Sequence, residues 1–257
     1  MPSMSAYFAG RSALVTGAAS GIGRAIAGQL ADEGVSLVVH DRDKEAVCTA
    51  AEEIASAGGR AMALVGDVSD PVAIKAAVQA AVDAYGGLHF AVNNAGIAGP
   101  GGPLADYDDS DEFAAYRNLM GVNLDSVYFG MRYEIPAIID SGGGAIVNMS
   151  SVLGLVGEPN AAPYTAAKHG VAGLTKAAGA AYAARGVRIN SVHPGYIDTP
   201  LIAGASPEIR RALAARHPIG RLGTAAEVAN LVVFLLSDKA GFITASQHVV
   251  DGGYTAV

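Results

Sequence analysis

Ser151, Tyr164 and Lys168 stand thirteen and four residues apart. On a helix, positions i and i+4 share one face, so the Tyr164 phenol and the Lys168 ammonium can act together. With ten tyrosines and five lysines, composition places about 0.2 Tyr-x-x-x-Lys pairs in 257 residues, and one is present. A free phenol titrates near about 10, too high for an efficient base at neutral pH. A neighbouring cation favours the phenolate and lowers that value, which makes the tyrosine a general base or, in reverse, a general acid. Hydride transfer to or from a carbonyl carbon needs such a group at the oxygen. The Ser151 hydroxyl is placed to hold that oxygen, and Lys168 to hold ribose hydroxyls. Taken alone, the pair also fits an ordinary helix with a surface ion.

Elsewhere the chain offers a place for a dinucleotide. A strand-like run ends in Thr16-Gly17-Ala18-Ala19-Ser20-Gly21-Ile22-Gly23 and leads into a helical pattern. Glycine permits a tight turn and close backbone approach, while the N–H groups of the helix start face an anion. A plain strand-to-helix turn is the competing reading. Eighteen residues after Gly23 comes His40-Asp41-Arg42. An acid here accepts hydrogen bonds from both adenosine ribose hydroxyls and repels a 2′-phosphate, so Asp41 favours NAD over NADP. Asp41 as a helix cap, or Arg42 as a phosphate ligand that admits NADP, are the alternatives. Asp67-Val68 and Asn93-Asn94-Ala95-Gly96 follow the third and fourth strand-like runs.

The elements that must position these groups alternate. Short runs rich in Val, Ile and Leu, without polar alternation, occupy 13–16, 35–40, 61–65, 88–92, 145–149, 187–192 and 247–250; they read as strands buried on both faces. Helical patterns occupy 22–33, 43–57, 71–85, 111–140, 161–185 and 224–237, with Asp70-Pro71 as a cap and first-turn proline. This predicts one α/β domain over 1–257, a doubly wound Rossmann-type fold with a seven-stranded parallel sheet. Ligands bind outside the carboxyl ends of such strands. The segments 99–110 and 199–217 are therefore candidate lids, the second a substrate loop. Val152, Leu153, Val156, Glu158 and Asn160 are expected to wall the substrate pocket with it.

Composition excludes other classes. Acids outnumber bases 24 to 17, for a net charge of −7. A nucleic-acid partner, which needs Lys and Arg against phosphate, is not expected. The longest apolar stretches, such as 231–236, fall far short of a membrane span. Residues 1–10 show no secretory signal, and Cys48 has no disulfide partner, so a cytoplasmic location is expected. The acidic run from Asp106 to Glu112 fails as a calcium loop, since Asp111 stands where glycine is required and Arg117 where glutamate is. The histidines show no zinc spacing, and no metal is expected.

Together, Thr-Gly-x-x-x-Gly-Ile-Gly, Asn-Asn-Ala-Gly, Ser…Tyr-x-x-x-Lys and Pro194-Gly195 resemble the short-chain dehydrogenase/reductase family over nearly the whole chain. The resemblance implies catalytic roles for Ser151, Tyr164 and Lys168, with Asn123 supporting a water-mediated proton relay through Lys168. It places Asp67 and Val68 beside adenine, Asn94 along the cofactor channel, and Ile197 and Thr199 at the nicotinamide amide. It also implies a homotetramer built on the helices near 111–140 and 161–185. The expected activity is interconversion of a secondary alcohol and a ketone with NAD. The rivals are a 3-oxoacyl-thioester reductase using NADPH and a non-catalytic dinucleotide sensor.

Overall fold

Every residue of β1 (Ser12–Thr16) is buried, because alternate side chains enter two different apolar layers. Ala13 and Val15 pack with Ile26 and Leu30 of α1 (Gly21–Asp32) and with Val228 and Val232 of α8 (Ala225–Leu236). Leu14 packs on the opposite face with Ala77 and Val78 of α3 (Pro71–Tyr85) and with Ile135 and Ile138 of α5 (Ser126–Asp140). Helices on both faces are why the strands lack polar alternation. These relations come from a computed structural model, which describes residues 7–107, 110, 111 and 113–257. Residues 1–6 of the N-terminal reading, and Asp108, Asp109 and Glu112 of the acidic run, lie outside the described residues.

The other strands are β2 (Ser36–Asp41), β3 (Arg60–Val65), β4 (Phe90–Asn93), β5 (Gly144–Met149), β6 (Val187–Pro194) and β7 (Gln247–Val250). The remaining α-helices among the described residues are α2 (Lys44–Ser56), α4 (Ala114–Met120), α6 (Ala162–Tyr182) and α7 (Pro207–Ala215). All strand pairs are parallel in a seven-stranded sheet of order β3-β2-β1-β4-β5-β6-β7. The order reverses between β1 and β4, so the loops leaving those two strands diverge and open a crevice at their carboxyl ends.

Seven parallel strands agree with the sequence reading; several boundaries do not. The helix expected over 111–140 is α4 and α5 joined by a π-turn at Gly121–Asp125. A π-turn inserts one residue into the helical register, a change that leaves the apolar pattern nearly intact. The helix expected over 161–185 ends its α-helical part at Tyr182, and Gly186 at φ 81° closes the following 3₁₀ turn. The expected lid over 199–217 is itself structured. It holds a 3₁₀ turn at Pro200–Ile202 and then α7, capped by the Ser206 hydroxyl, which accepts from the Ile209 N–H. Asp70 caps α3 as expected, accepting from the Val72 N–H at 2.8 Å. No helix among the described residues is long and apolar enough to cross a membrane.

Candidate active site

A cavity of about 510 Å³ is lined by residues at or just beyond the carboxyl ends of β1 to β6. Its first half is a backbone cradle. Gly17 turns at φ 65°, and a Cβ there would sit 2.9 Å from Ala95 Cα and from Asn94 Nδ2. Asn94 Nδ2 donates to the carbonyls of Thr16 at 3.0 Å and Gly17 at 3.3 Å. The Thr16 hydroxyl accepts from the N–H groups of Asn94 and Ala95. The β1 turn and the β4 loop are thus stitched together. Ser20 is the N-cap of α1 yet makes no capping bond, so the N–H groups of the first turn are left for an anion.

Gly23 is the exception. It does not line the cavity, and a Cβ would come within 2.1 Å of the Gly17 carbonyl oxygen. Its missing side chain lets α1 pack onto the turn.

Asp41 ends β2 with its carboxylate held by two backbone donors, Ala19 N–H at 3.1 Å and Asp43 N–H at 3.1 Å. It lines the cavity beside Arg42, with Asp67 and Val68 nearby in the lining. Asp67 accepts from the N–H and hydroxyl of Ser69, and these bonds hold its carboxyl below the usual range. The cradle, the capless helix start and the two carboxylates fit an extended dinucleotide.

The second half is built on β5 and α6. Ser150 and Ser151 leave β5, and their hydroxyls divide the work. Ser150 is buried and donates to the Lys168 carbonyl at 2.9 Å, fixing α6 to the strand. The Ser151 hydroxyl accepts from Leu153 N–H at 3.1 Å and shares the cavity lining with the Tyr164 phenol, whose ionisation it favours. Behind it, His193 Nδ1 lies 2.8 Å from the Ser151 carbonyl oxygen, which ties β6 to the same residue. Lys168 Nζ donates to the Met149 carbonyl at 3.0 Å and lies 5.6 Å from the centroid of the Tyr164 ring.

The electrostatics differ from the expectation. Burial pushes the Tyr164 phenol up to about 12, with the Ser151 hydrogen bond acting the other way. Burial also pulls Lys168 down to about 8. In the protein alone, desolvation outweighs any acidifying effect of the ammonium on the phenol.

Asn123 sits in the π-turn, wholly buried and outside the cavity lining. Its Oδ1 accepts from Ile97 N–H at 3.0 Å, and its Nδ2 donates to the Ile97 carbonyl at 2.9 Å. A Cβ on Gly96 would meet both Asn123 Oδ1 at 2.8 Å and Lys168 Nζ at 3.6 Å, so Gly96 is the gap between them.

The remaining sequence-read residues come together. Gly21, Ile22, Ala95, Pro194, Gly195, Ile197 and Thr199 all line the cavity, as do Leu153, Glu158 and Asn160. Val156 does not, and of the segment 199–217 only residues 199–202 do. Sequence reasoning missed Tyr196, whose only signal was its place directly after Pro194-Gly195. It also missed Ile97 and Val122, and an ion pair between Glu158 Oε2 and Arg216, 2.8 Å apart, beside the rings of Tyr196 and Tyr254.

The family model described as Enoyl-(Acyl carrier protein) reductase matches residues 17–255. The chain is 51% identical over 256 residues to a cyclohexanol dehydrogenase of Acinetobacter sp. (strain SE19), covering 98% of each. It is 45% identical over 254 residues to a cis-4-hydroxycyclohexanecarboxylate dehydrogenase of Sinomonas cyclohexanicum, covering 99% of this chain and 100% of the relative. A 3-oxoacyl-(acyl-carrier-protein) reductase of Staphylococcus aureus is 38% identical over 244 residues, 95% of this chain and 97% of its own.

Proposed function

The chain belongs to the short-chain dehydrogenase/reductase family of oxidoreductases acting on CH–OH groups, and from that premise we propose that it interconverts an uncharged cyclic secondary alcohol and its ketone with NAD. The observation that carries the reading is that Ser151, Tyr164 and Lys168 line the same cavity as Asp41. When bound, the nicotinamide ring supplies the hydride acceptor and a positive charge.

Tyr164 then takes the hydroxyl proton of the alcohol, and Ser151 holds the oxygen so that the phenol reaches it. Proton removal needs a phenolate that burial disfavours, so the cation at Lys168 and the bound ring charge must together offset desolvation. Asn123, braced against Ile97, holds the chain behind Lys168 for proton exit. Gly17, Ser20, Gly21 and Ile22 would hold the pyrophosphate, and Asp41 the adenosine ribose. Ile197 and Thr199 would meet the nicotinamide amide.

Substrate class rests on the cyclohexanol dehydrogenase likeness and on a wall that includes Val152, Leu153, Tyr196, Leu201 and Ile202. The 3-oxoacyl reductase likeness favours a second reading, thioester reduction with NADPH. Asp41 opposes it, because a 2′-phosphate would face a carboxylate. Assembly as a homotetramer is part of the same proposal. An apolar groove lined by Tyr128, Met131, Ile135, Leu174 and Tyr182 runs along α5 and α6 and would be covered by a second copy.

The test is NADH formation, followed by absorbance, with cyclohexanol, acyclic secondary alcohols and acetoacetyl thioesters. Turnover of cyclohexanol with NAD that Tyr164→Phe abolishes is expected. Binding without turnover across the panel, unaffected by Tyr164→Phe, would make the chain a dinucleotide sensor.

A further inference from the structure

Glu158 lines the cavity, and its side chain is 15% exposed. Its Oε2 lies 2.8 Å from a guanidinium nitrogen of Arg216, which closes the C-terminal end of α7. That guanidinium does not line the cavity. It is fixed from the other side by the Tyr254 ring at 4.9 Å, by the Tyr196 ring at 5.7 Å, and by donation to the Tyr196 hydroxyl at 3.3 Å. Arginine beside aromatic faces presents a planar fork suited to a carboxylate, and here one oxygen of an internal carboxylate stands in ion-pair contact with one of its nitrogens.

The pair therefore turns its negative end toward the cavity. The other charged groups of the lining are Asp41, Arg42 and Asp67, at the ends of β2 and β3, and Lys168, which donates to the Met149 carbonyl. Among the described lining residues, none of these offers a free cation on the Glu158 wall. An anionic group brought to that wall meets Glu158 before it meets Arg216, and like charges at a desolvated contact are strongly disfavoured.

We propose that Glu158 is the specificity-determining residue that rejects carboxylate-bearing substrates, and that it does so by occupying Arg216, which is otherwise a ready carboxylate receptor. The inference rests on the proposed ring-alcohol substrate and sharpens it: the cavity takes the neutral ring and refuses the same ring bearing a carboxylate. Removing the Glu158 charge while keeping its shape converts the refusal into recognition.

The experiment compares kcat/KM for cyclohexanol and cis-4-hydroxycyclohexanecarboxylate with saturating NAD, in wild type, Glu158→Gln, Arg216→Met and the double variant. Wild type is expected to prefer cyclohexanol, and Glu158→Gln to raise the carboxylate-to-cyclohexanol ratio by about tenfold or more, chiefly through KM for the carboxylate. The double variant is expected to lose that gain, because the receptor is gone. Calorimetric titration of cyclohexanecarboxylate into the same four NAD-loaded proteins reads the effect without turnover, with melting temperatures confirming that each is folded. Equal handling of both substrates by wild type, an unchanged ratio and unchanged binding in Glu158→Gln, or a gain that survives in the double variant would overturn the proposal. Failure of wild type to oxidise cyclohexanol would overturn the substrate reading instead, and the titrations would still decide the role of Glu158.

Discussion

Lys168 Nζ donates to the Met149 carbonyl at 3.0 Å while standing 5.6 Å from the Tyr164 ring centroid, so β5 itself holds the ammonium within reach of the phenol's field. The ammonium is buried and lowered to about 8, and the phenol is raised to about 12. At neutral pH the lysine still carries its proton, whereas the phenol stays neutral until a further positive charge arrives with the cofactor.

A pH dependence follows. Alcohol oxidation needs the deprotonated phenol, so kcat rises with pH as that group titrates in the cofactor complex. Ketone reduction needs the protonated phenol and declines over the same limb. Lys168→Met removes the cation that favours phenolate and moves the oxidation limb to higher pH. Profiles of kcat in both directions, for wild type and variant, check the sign.

Ser151→Ala removes the hydroxyl that accepts from Leu153 N–H and favours ionisation of the Tyr164 phenol. The backbone around Ser151 stays anchored through its carbonyl to His193. Cofactor binding should therefore persist while kcat falls about 10²–10³-fold, the scale for losing one hydrogen bond at the reacting oxygen. Stopped-flow hydride transfer together with NADH titration separates the two. A loss confined to KM would count against the role of Ser151.

Asp41 is held by two backbone N–H groups, which fix its carboxylate at the end of β2. Wild type should prefer NAD over NADP, and Asp41→Ala should reduce that preference by at least about tenfold, with Arg42 next to it free to meet a 2′-phosphate. Steady-state kinetics with both cofactors is sufficient. A wild type that prefers NADP would transfer support to the thioester reading.

The features that were legible in the sequence are local ones. Gly17, Gly21 and the Tyr164–Lys168 spacing act within one turn of chain, and the apolar runs of β1, β2, β4, β5 and β6 record burial on both faces directly. The edge strands β3 and β7 are only partly buried. The π-turn that carries Asn123 was hidden because one extra residue barely disturbs an apolar pattern. The Glu158–Arg216 contact was hidden for a different reason. It joins the β5–α6 connection to the end of α7 through tertiary packing, with Tyr254 arriving from the far end of the chain, and no spacing rule encodes it. At Gly23 the sequence marks a required glycine without saying that the Gly17 carbonyl is what forbids a Cβ there.

Glu134 of α5 is buried, with Oε2 accepting from Asn93 Nδ2 at 3.0 Å. The same Asn93 Nδ2 donates to Asn148 Oδ1 at 2.9 Å, and Asn148 Nδ2 donates to the Thr175 hydroxyl at 3.0 Å, a chain that crosses from α5 through β4 and β5 to α6. Burial raises the Glu134 carboxyl from an ordinary 4.5 to about 7, although the Asn93 bond opposes the shift. Between these values the folded protein holds a proton that the unfolded chain has released, so stability declines as pH rises. The contribution is fully present below pH 4.5 and lost as pH passes through about 7. A shift of this size corresponds to about 3 kcal/mol. Glu134→Gln keeps an acceptor for Asn93 and has no proton to lose, so wild type should lose stability relative to the variant as pH rises through that window, and the variant should exceed wild type at pH 8. Urea denaturation at a series of pH values, comparing the two proteins, checks both statements; parallel slopes would remove Glu134 as the titrating group.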